Sequence, residues 1–175
     1  MPYSTTSRSP SAGSNALTRL AISYLPLNAL QPDPRNPRQH SKKQVRQIAN
    51  SMAAFGFAVP IVVDRELRVI AGHGRLMAAR MLGWSEVPVI RLEHLTEAQA
   101  RAFAITDNRL TENSAWDDRL LAEAFKELSI VDLDFQLDIT GFEMAEIDLK
   151  LEGLGAVAEE DPARSWSSRS FSIAM

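Results

Sequence analysis

A chain of 175 residues with 45% hydrophobic content can core one domain and a small appendage, but not two full domains. It has no cysteine, which excludes disulfides, thiolate metal sites and cysteine nucleophiles and fits an intracellular address. The net charge of −3, taken whole, argues against a dedicated nucleic-acid coat, and no stretch reaches the roughly 18 apolar residues of a membrane span or the core of a signal peptide. The expectation is a cytoplasmic protein with no membrane partner.

The charge is unevenly placed. Residues 1–110 carry 14 Lys+Arg against 7 Asp+Glu, and residues 111–175 carry 5 against 15. A basic body with an acidic C-terminal segment is suited to phosphate-rich ligands through the body, with weak, non-specific DNA binding as one consequence.

In chain order, residues 1–18 are rich in Ser, Thr, Gly and Ala without periodicity and read as a disordered leader. Residues 20–30 alternate enough for a short strand, with Ile22, Tyr24 and Leu27 available to a core. Prolines at 32, 34 and 37 bar a helix or a ladder and fix an extended loop, which carries Arg35, Arg38 and His40 as cations that could be held over a ligand. Ser41 caps the next helix and Gln44 completes a capping box; Val45, Ile48, Ala49, Met52 and Phe55 mark its core face, and Gly56 ends it. Ala58 to Val63 and Arg68 to Ala71 form a hairpin around Asp64–Leu67.

That hairpin delivers the stretch around which the chain is organised, Val69-Ile70-Ala71-Gly72-His73-Gly74-Arg75. An apolar strand enters a glycine turn and a helix follows, from Arg75 to Leu82. Glycine admits positive φ and close approach of a ligand to main-chain N–H groups. A helix start turns unpaired donors and partial positive charge to the same spot. Arg75 adds a fork suited to phosphate, and His73 can donate to an anion when protonated.

A strand over Val87–Leu92 follows, then a helix opened by the Thr96/Gln99 capping box and ending near Asn108. Asp107, Asn108 and Arg109 then stand where the helix breaks; Asp and Asn form a hard-oxygen pair for magnesium, and a left-handed Asn108 cap is the alternative. An amphipathic helix over Asp117–Leu128 uses Leu120, Leu121, Ala124, Phe125 and Leu128, and a last helix runs from about Glu143 to Leu151. The layout is a leader (1–18), an α/β body (19–113), an acidic helical extension (114–152) and a flexible tail (153–175). The fold class is α/β (α+β), a small mixed sheet flanked by helices.

Taken together, Pro34-Arg35-Asn36-Pro37-Arg38, Phe55-Gly56-Phe57, Pro60-Ile61-Val62-Val63, Ala71-Gly72-His73-Gly74-Arg75, Ala78-Ala79-Arg80 and Asp107-Asn108-Arg109 resemble the ParB N-terminal domain of the ParB/sulfiredoxin superfamily. The likeness is nearest to the ParB-like domain that precedes DNA methyltransferases in phage and mobile-element proteins. The resemblance implies a nucleotide triphosphate (CTP or ATP) with Mg2+, held by phosphate contacts at Gly72, His73, Gly74, Arg75, Arg38 and Asn108 and by metal contacts at Asp107 and Asn108. It also implies DNA, a methyltransferase or other DNA-processing protein, and a second copy of the chain as partners. ParB itself has Gly-Glu-Arg-Arg where this chain has Gly-His-Gly-Arg, so one phosphate-binding arginine is replaced by Gly74.

The sulfiredoxin reaction needs a cysteine, which this chain lacks. No methyltransferase motif follows, and residues 111–175 offer no room for a helix-turn-helix. The principal reading is a nucleotide-binding module accessory to DNA segregation, transcription or modification, with weak NTPase activity at most. The alternative is a metal-dependent nuclease or a phosphotransferase, with Asp107 and His73 as the catalytic pair.

Overall fold

The computed structural model describes residues 20–159, so the leader expected over 1–18 lies outside the described residues, as does the tail beyond Glu159. Four strands, β1 (Ile22–Pro26), β2 (Ile61–Val63), β3 (Val69–Ala71) and β4 (Glu86–Arg91), form one mixed sheet in the order β1-β4-β2-β3. β4 runs antiparallel to β1 and parallel to β2, while β2 and β3 make the expected antiparallel hairpin. The parallel pair requires a crossover between β2 and β4. That crossover consists of β3 and the helix α2 (His73–Met81), so the glycine turn lies inside the connection that closes the sheet.

One face of the sheet, with Ile61, Val63, Val69, Val87 and Val89 all buried, packs against α1 (Lys42–Phe55) and α2 through Val45, Ala49, Met52, Leu76, Ala78 and Ala79. The other face offers Ile70 and Leu92 to α3 (Glu97–Glu112), which docks through Ala100 with Ala104 and Leu95 at its edge. α3 therefore lies across the sheet from α1 and α2. Helices α4 (Asp118–Ser129) and α5 (Met144–Glu159) pack on each other. They are fastened to α1 by the 3-10 turn Leu137–Thr140, by Lys43 Nζ to Glu143 Oε1 at 2.6 Å and by Gln47 Nε2 donating to Gly141 O at 3.3 Å.

Several expectations are corrected. In β1, Ile22 and Tyr24 are 59% and 64% exposed and Leu25 packs on the core in their place, while Leu27, just past the strand, joins the core as expected; alternation gives a period of two but not which phase is inward. Gln31 enters a ladder despite its proline neighbours, accepting from Val69 N–H at 2.8 Å and donating to Leu67 O at 3.0 Å. Ser41 accepts from Gln44 N–H as expected, but the Gln44 side chain turns to His40 instead of closing the box. The α1 stripe does not end in the core, because Phe55 is exposed and meets Phe135 edge-on at 5.1 Å. In α4 the buried residues are Ala122 and Phe125, whereas Leu120 and Ala124 face solvent. Helix α5 continues through Gly153 to Glu159, where the sequence put a flexible tail.

Candidate functional site

The turn starts from three buried residues of β3, which fix the entry of the chain. Gly72 then takes φ +97°, a left-handed conformation that a side chain rarely adopts, and caps a helix that begins at His73, two residues earlier than the sequence indicated. Its carbonyl accepts from Leu76 N–H at 2.9 Å. The N–H groups of His73, Gly74 and Arg75 are left without helical partners.

Arg75 does not extend over this turn. Its guanidinium folds back so that a Cβ at Gly72 would lie 3.0 Å from Nη2, and Nη2 donates to Pro60 O at 3.2 Å. Its buried Nε finds no acceptor. Burial lowers the Arg75 pKa, with Asp107 acting in the opposite direction. Arg75 is therefore a half-buried cation in the field of Asp107, with its buried Nε–H unpaired.

The proline-rich loop is laid along α3 by two ion pairs. Arg35 Nη1 meets Glu97 Oε1 at 3.1 Å near the start of the helix, and Arg38 Nη1 meets Glu112 Oε1 at 2.9 Å at its end. Asp33 N–H donates to His73 Nε2 at 3.3 Å. Burial lowers the His73 pKa, and nearby His40 adds to this while Asp33 opposes it. The imidazolium expected at position 73 is thus disfavoured. With Nε2 accepting, the neutral ring carries its proton on Nδ1 and remains a donor there.

Helix α3 does not break at Asn108 but runs four residues further, to Glu112. The helix end expected there is therefore absent, and so is the left-handed Asn108 cap: Asp107 and Asn108 lie inside the helix. Asn108 Nδ2 donates to Ala104 O at 2.7 Å, which orients the side chain and leaves Oδ1 available.

These stretches close on one cavity of about 190 Å³, lined by Gly72, His73, Gly74, Arg75, Arg38, Asp107 and Asn108. Every residue given a phosphate or metal role from the sequence is on that wall, as is His40, whereas Arg35, also offered as a cation over a ligand, lines the neighbouring cavity. Asn36, Gln44 and Thr111 line it as well, although the sequence marked none of them as a site residue; each faces inward because loop, α1 and α3 meet here. A second cavity of about 280 Å³ shares Asn36, Ile70 and His73 with the first and adds Asp33, Arg35, Arg68 and Arg101 over apolar Val69, Ala100 and Ala104. His73 stands between the two.

The chain belongs to the ParB N-terminal domain family, whose sequence model matches residues 11–109. Residues 119–168 match the ParB-methyltransferase HTH domain, which corrects the expectation that no helix-turn-helix could be accommodated. The described part of that match is α4, the 3-10 turn and α5, and its acidic composition concealed it. Among relatives, the ParB-like nuclease domain-containing protein YnaK of Escherichia coli is 47% identical over 81 residues, covering 46% of this chain and 93% of that protein. The chromosome-partitioning protein Spo0J of Thermus thermophilus is 32% identical over 100 residues, covering 55% of this chain and 37% of the relative. Against such partitioning proteins the chain spans about a third of their length. In fold it is similar to the C-terminally truncated chromosome-partitioning protein ParB of Caulobacter crescentus complexed with CTP-γ-S, with a TM-score of 0.56, 24% identity and 63% coverage of each chain. It is a ParB-like domain related to chromosome-partitioning proteins, and among its described residues no helix is long and apolar enough to cross a membrane.

Proposed function

We propose that the cavity at Gly72–Arg75 binds the phosphates of a nucleoside triphosphate with Mg2+, in a domain that works on DNA as an accessory to segregation, transcription or modification. One observation carries the reading. Residues from three distant stretches place unpartnered helix N–H groups, the Arg38 guanidinium, and the oxygens of Asp107 and Asn108 around one cavity. Magnesium is usually held by one or two carboxylates together with substrate phosphates rather than by a full protein cage. Asp107 and the free Oδ1 of Asn108 suit that division of ligands. The neighbouring cavity has apolar walls and a polar rim suited to a nucleoside, and the two together fall in the ~300–1,000 Å³ range of small-molecule sites. The CTP-γ-S complex of the Caulobacter protein puts CTP first among the candidates.

The DNA role rests on the basic body, on the family and on the helix-turn-helix match. Partners consistent with it are DNA bound weakly and without sequence preference, a second copy of the chain, and a DNA methyltransferase or other DNA-processing protein. The nuclease alternative draws on the name of the Escherichia coli relative. Binding is the reading that the lining of the cavity supports best.

The test is equilibrium binding of ATP, CTP, GTP and UTP, each with magnesium. CTP is expected to bind, and Arg38→Ala to weaken it by about 1.5–3 kcal/mol, the range for a charge-assisted hydrogen bond. Silence across all four nucleotides with folded protein contradicts the proposal.

A further inference from the structure

We propose that the groove between α4 and α5 takes the indole of Trp166, so that the segment following α5 turns back and closes the helix-turn-helix segment of its own chain. The groove is a cavity of about 600 Å³, lined by Ala122 of α4 and by Glu146, Leu149, Gly153 and Leu154 of α5. Small residues on both helices leave it open. Ala122 carries only a methyl group, and a Cβ built at Gly153 meets no described atom within 4 Å. Leu149 stands on its wall 68% exposed. Helix pairs ordinarily fill such a space to the density of a core, so the groove is short of one large apolar side chain.

The match to the helix-turn-helix family points to where that side chain comes from. It runs to residue 168, past the end of α5 at Glu159. Among residues 160–168 Trp166 is the one large apolar side chain, and an indole is among the largest apolar groups a chain can bury. The reach is sufficient. The groove extends to Leu154, five residues before the end of α5 and about 7.5 Å back along the helix at about 1.5 Å per residue. The six residues between Glu159 and Trp166 span up to about 20 Å at roughly 3.3 Å each. Pro162 lies among them and cannot continue a helical ladder, which suits a reversal of the chain.

Charge favours the same occupant. Residues 118–159 carry 11 Asp+Glu against 3 Lys+Arg, whereas residues 162–171 carry Arg164 and Arg169 and no acid. The two cations lining the groove are already engaged, Lys150 by Asp118 and Arg119 by Glu123, each at 2.6 Å. Glu146 on the rim and Glu152 near it are exposed. An arginine on either side of Trp166 therefore meets a surplus of carboxylate, and it brings positive charge to a helical unit that is otherwise acidic.

The experiment labels the full chain with fluorotryptophan, which gives one fluorine resonance each for Trp84, Trp116 and Trp166, with Trp166→Phe to assign the last. Trp84, packed against Phe57 at the core, and Trp116, 69% exposed, are the protected and open references. In the wild type a soluble paramagnetic agent should broaden the Trp166 signal no more than that of Trp84, and dilution should not change this. Gly153→Leu extends a side chain into the groove, and Leu149→Glu places a charge on its wall at an exposed position. Each should leave Trp166 as open to the agent as Trp116 while Trp84, the reporter of an intact fold, stays protected. A wild-type Trp166 as open as Trp116 overturns the proposal and leaves the groove to a separate partner. Protection that survives both substitutions overturns it too, since the indole is then buried elsewhere. Protection lost on dilution assigns the groove to a second copy of the chain and likewise overturns it.

Discussion

Arg38 and Glu112 meet at 2.9 Å, with Arg38 on the proline-rich loop and Glu112 in the last turn of α3. The guanidinium that reaches the cavity is thereby already engaged by a carboxylate of the same chain. Arg109 contacts the same carboxylate from the helix side at 3.4 Å. Both partners of the Arg38–Glu112 pair are partly solvent-exposed, so it contributes little to stability.

Glu112→Gln should therefore leave the melting temperature nearly unchanged while freeing Arg38 for a phosphate. Triphosphate affinity is expected to rise by about 1 kcal/mol, roughly fivefold, within the range of a partly exposed charge pair. In an Arg38→Ala background the same change should do nothing. An equal gain in both backgrounds would mean that Glu112 acts only through net charge.

Gly72→Ala should destabilise the fold by about 1–3 kcal/mol, since it forces a side chain into a left-handed conformation. The new Cβ would also press on the Arg75 guanidinium, 3.0 Å away, and disturb its bond to Pro60 O. Urea unfolding measures this directly, and unaltered stability would contradict the geometry of the turn.

The turn was the most legible part of the site, because Gly-x-Gly between a strand and a helix constrains backbone shape wherever it occurs. What could not be read was the direction of Arg75, since its acceptor, Pro60 O, lies fifteen residues away in the chain. The Asp107–Asn108 pair was read from its oxygen ligands with a cap as the alternative, and the resemblance favoured the ligand reading. Its local sequence suggested a helix end, but Asn108 bonds back to Ala104 O and nothing stops α3 before Glu112. The sheet and helices were legible from periodicity. Which face of β1 and α4 turned inward was not, because packing partners far along the chain choose between Ile22 and Leu25, or between Ala124 and Ala122.

Burial holds the folded-state pKa of His73 below its ordinary value of 6.5. The fold thus prefers the neutral ring: this contribution is intact above pH 6.5 and is lost as the pH falls through that value toward the lowered pKa. Wild-type protein should lose more melting temperature between pH 7.5 and pH 5.5 than His73→Gln. Equal losses would show that His73 is not held neutral.

The helix-turn-helix segment presents carboxylates where a DNA reader needs cations: Glu146, Asp148 and Glu152 are all exposed on α5. Non-specific duplex affinity at low salt should rise when all three are replaced by their amides. A fall would mean that this face contacts DNA as it stands.

The central claim is that phosphates sit on the N–H groups of the Gly72–Arg75 turn, and a two-dimensional amide spectrum of isotope-labelled protein titrated with CTP and magnesium tests it most directly. The backbone signals of Gly72, His73, Gly74 and Arg75 and the side-chain amide of Asn108 should move together and saturate, and Asp107→Ala should abolish the magnesium dependence. Shifts confined to other surfaces, or no shifts at all, would contradict it.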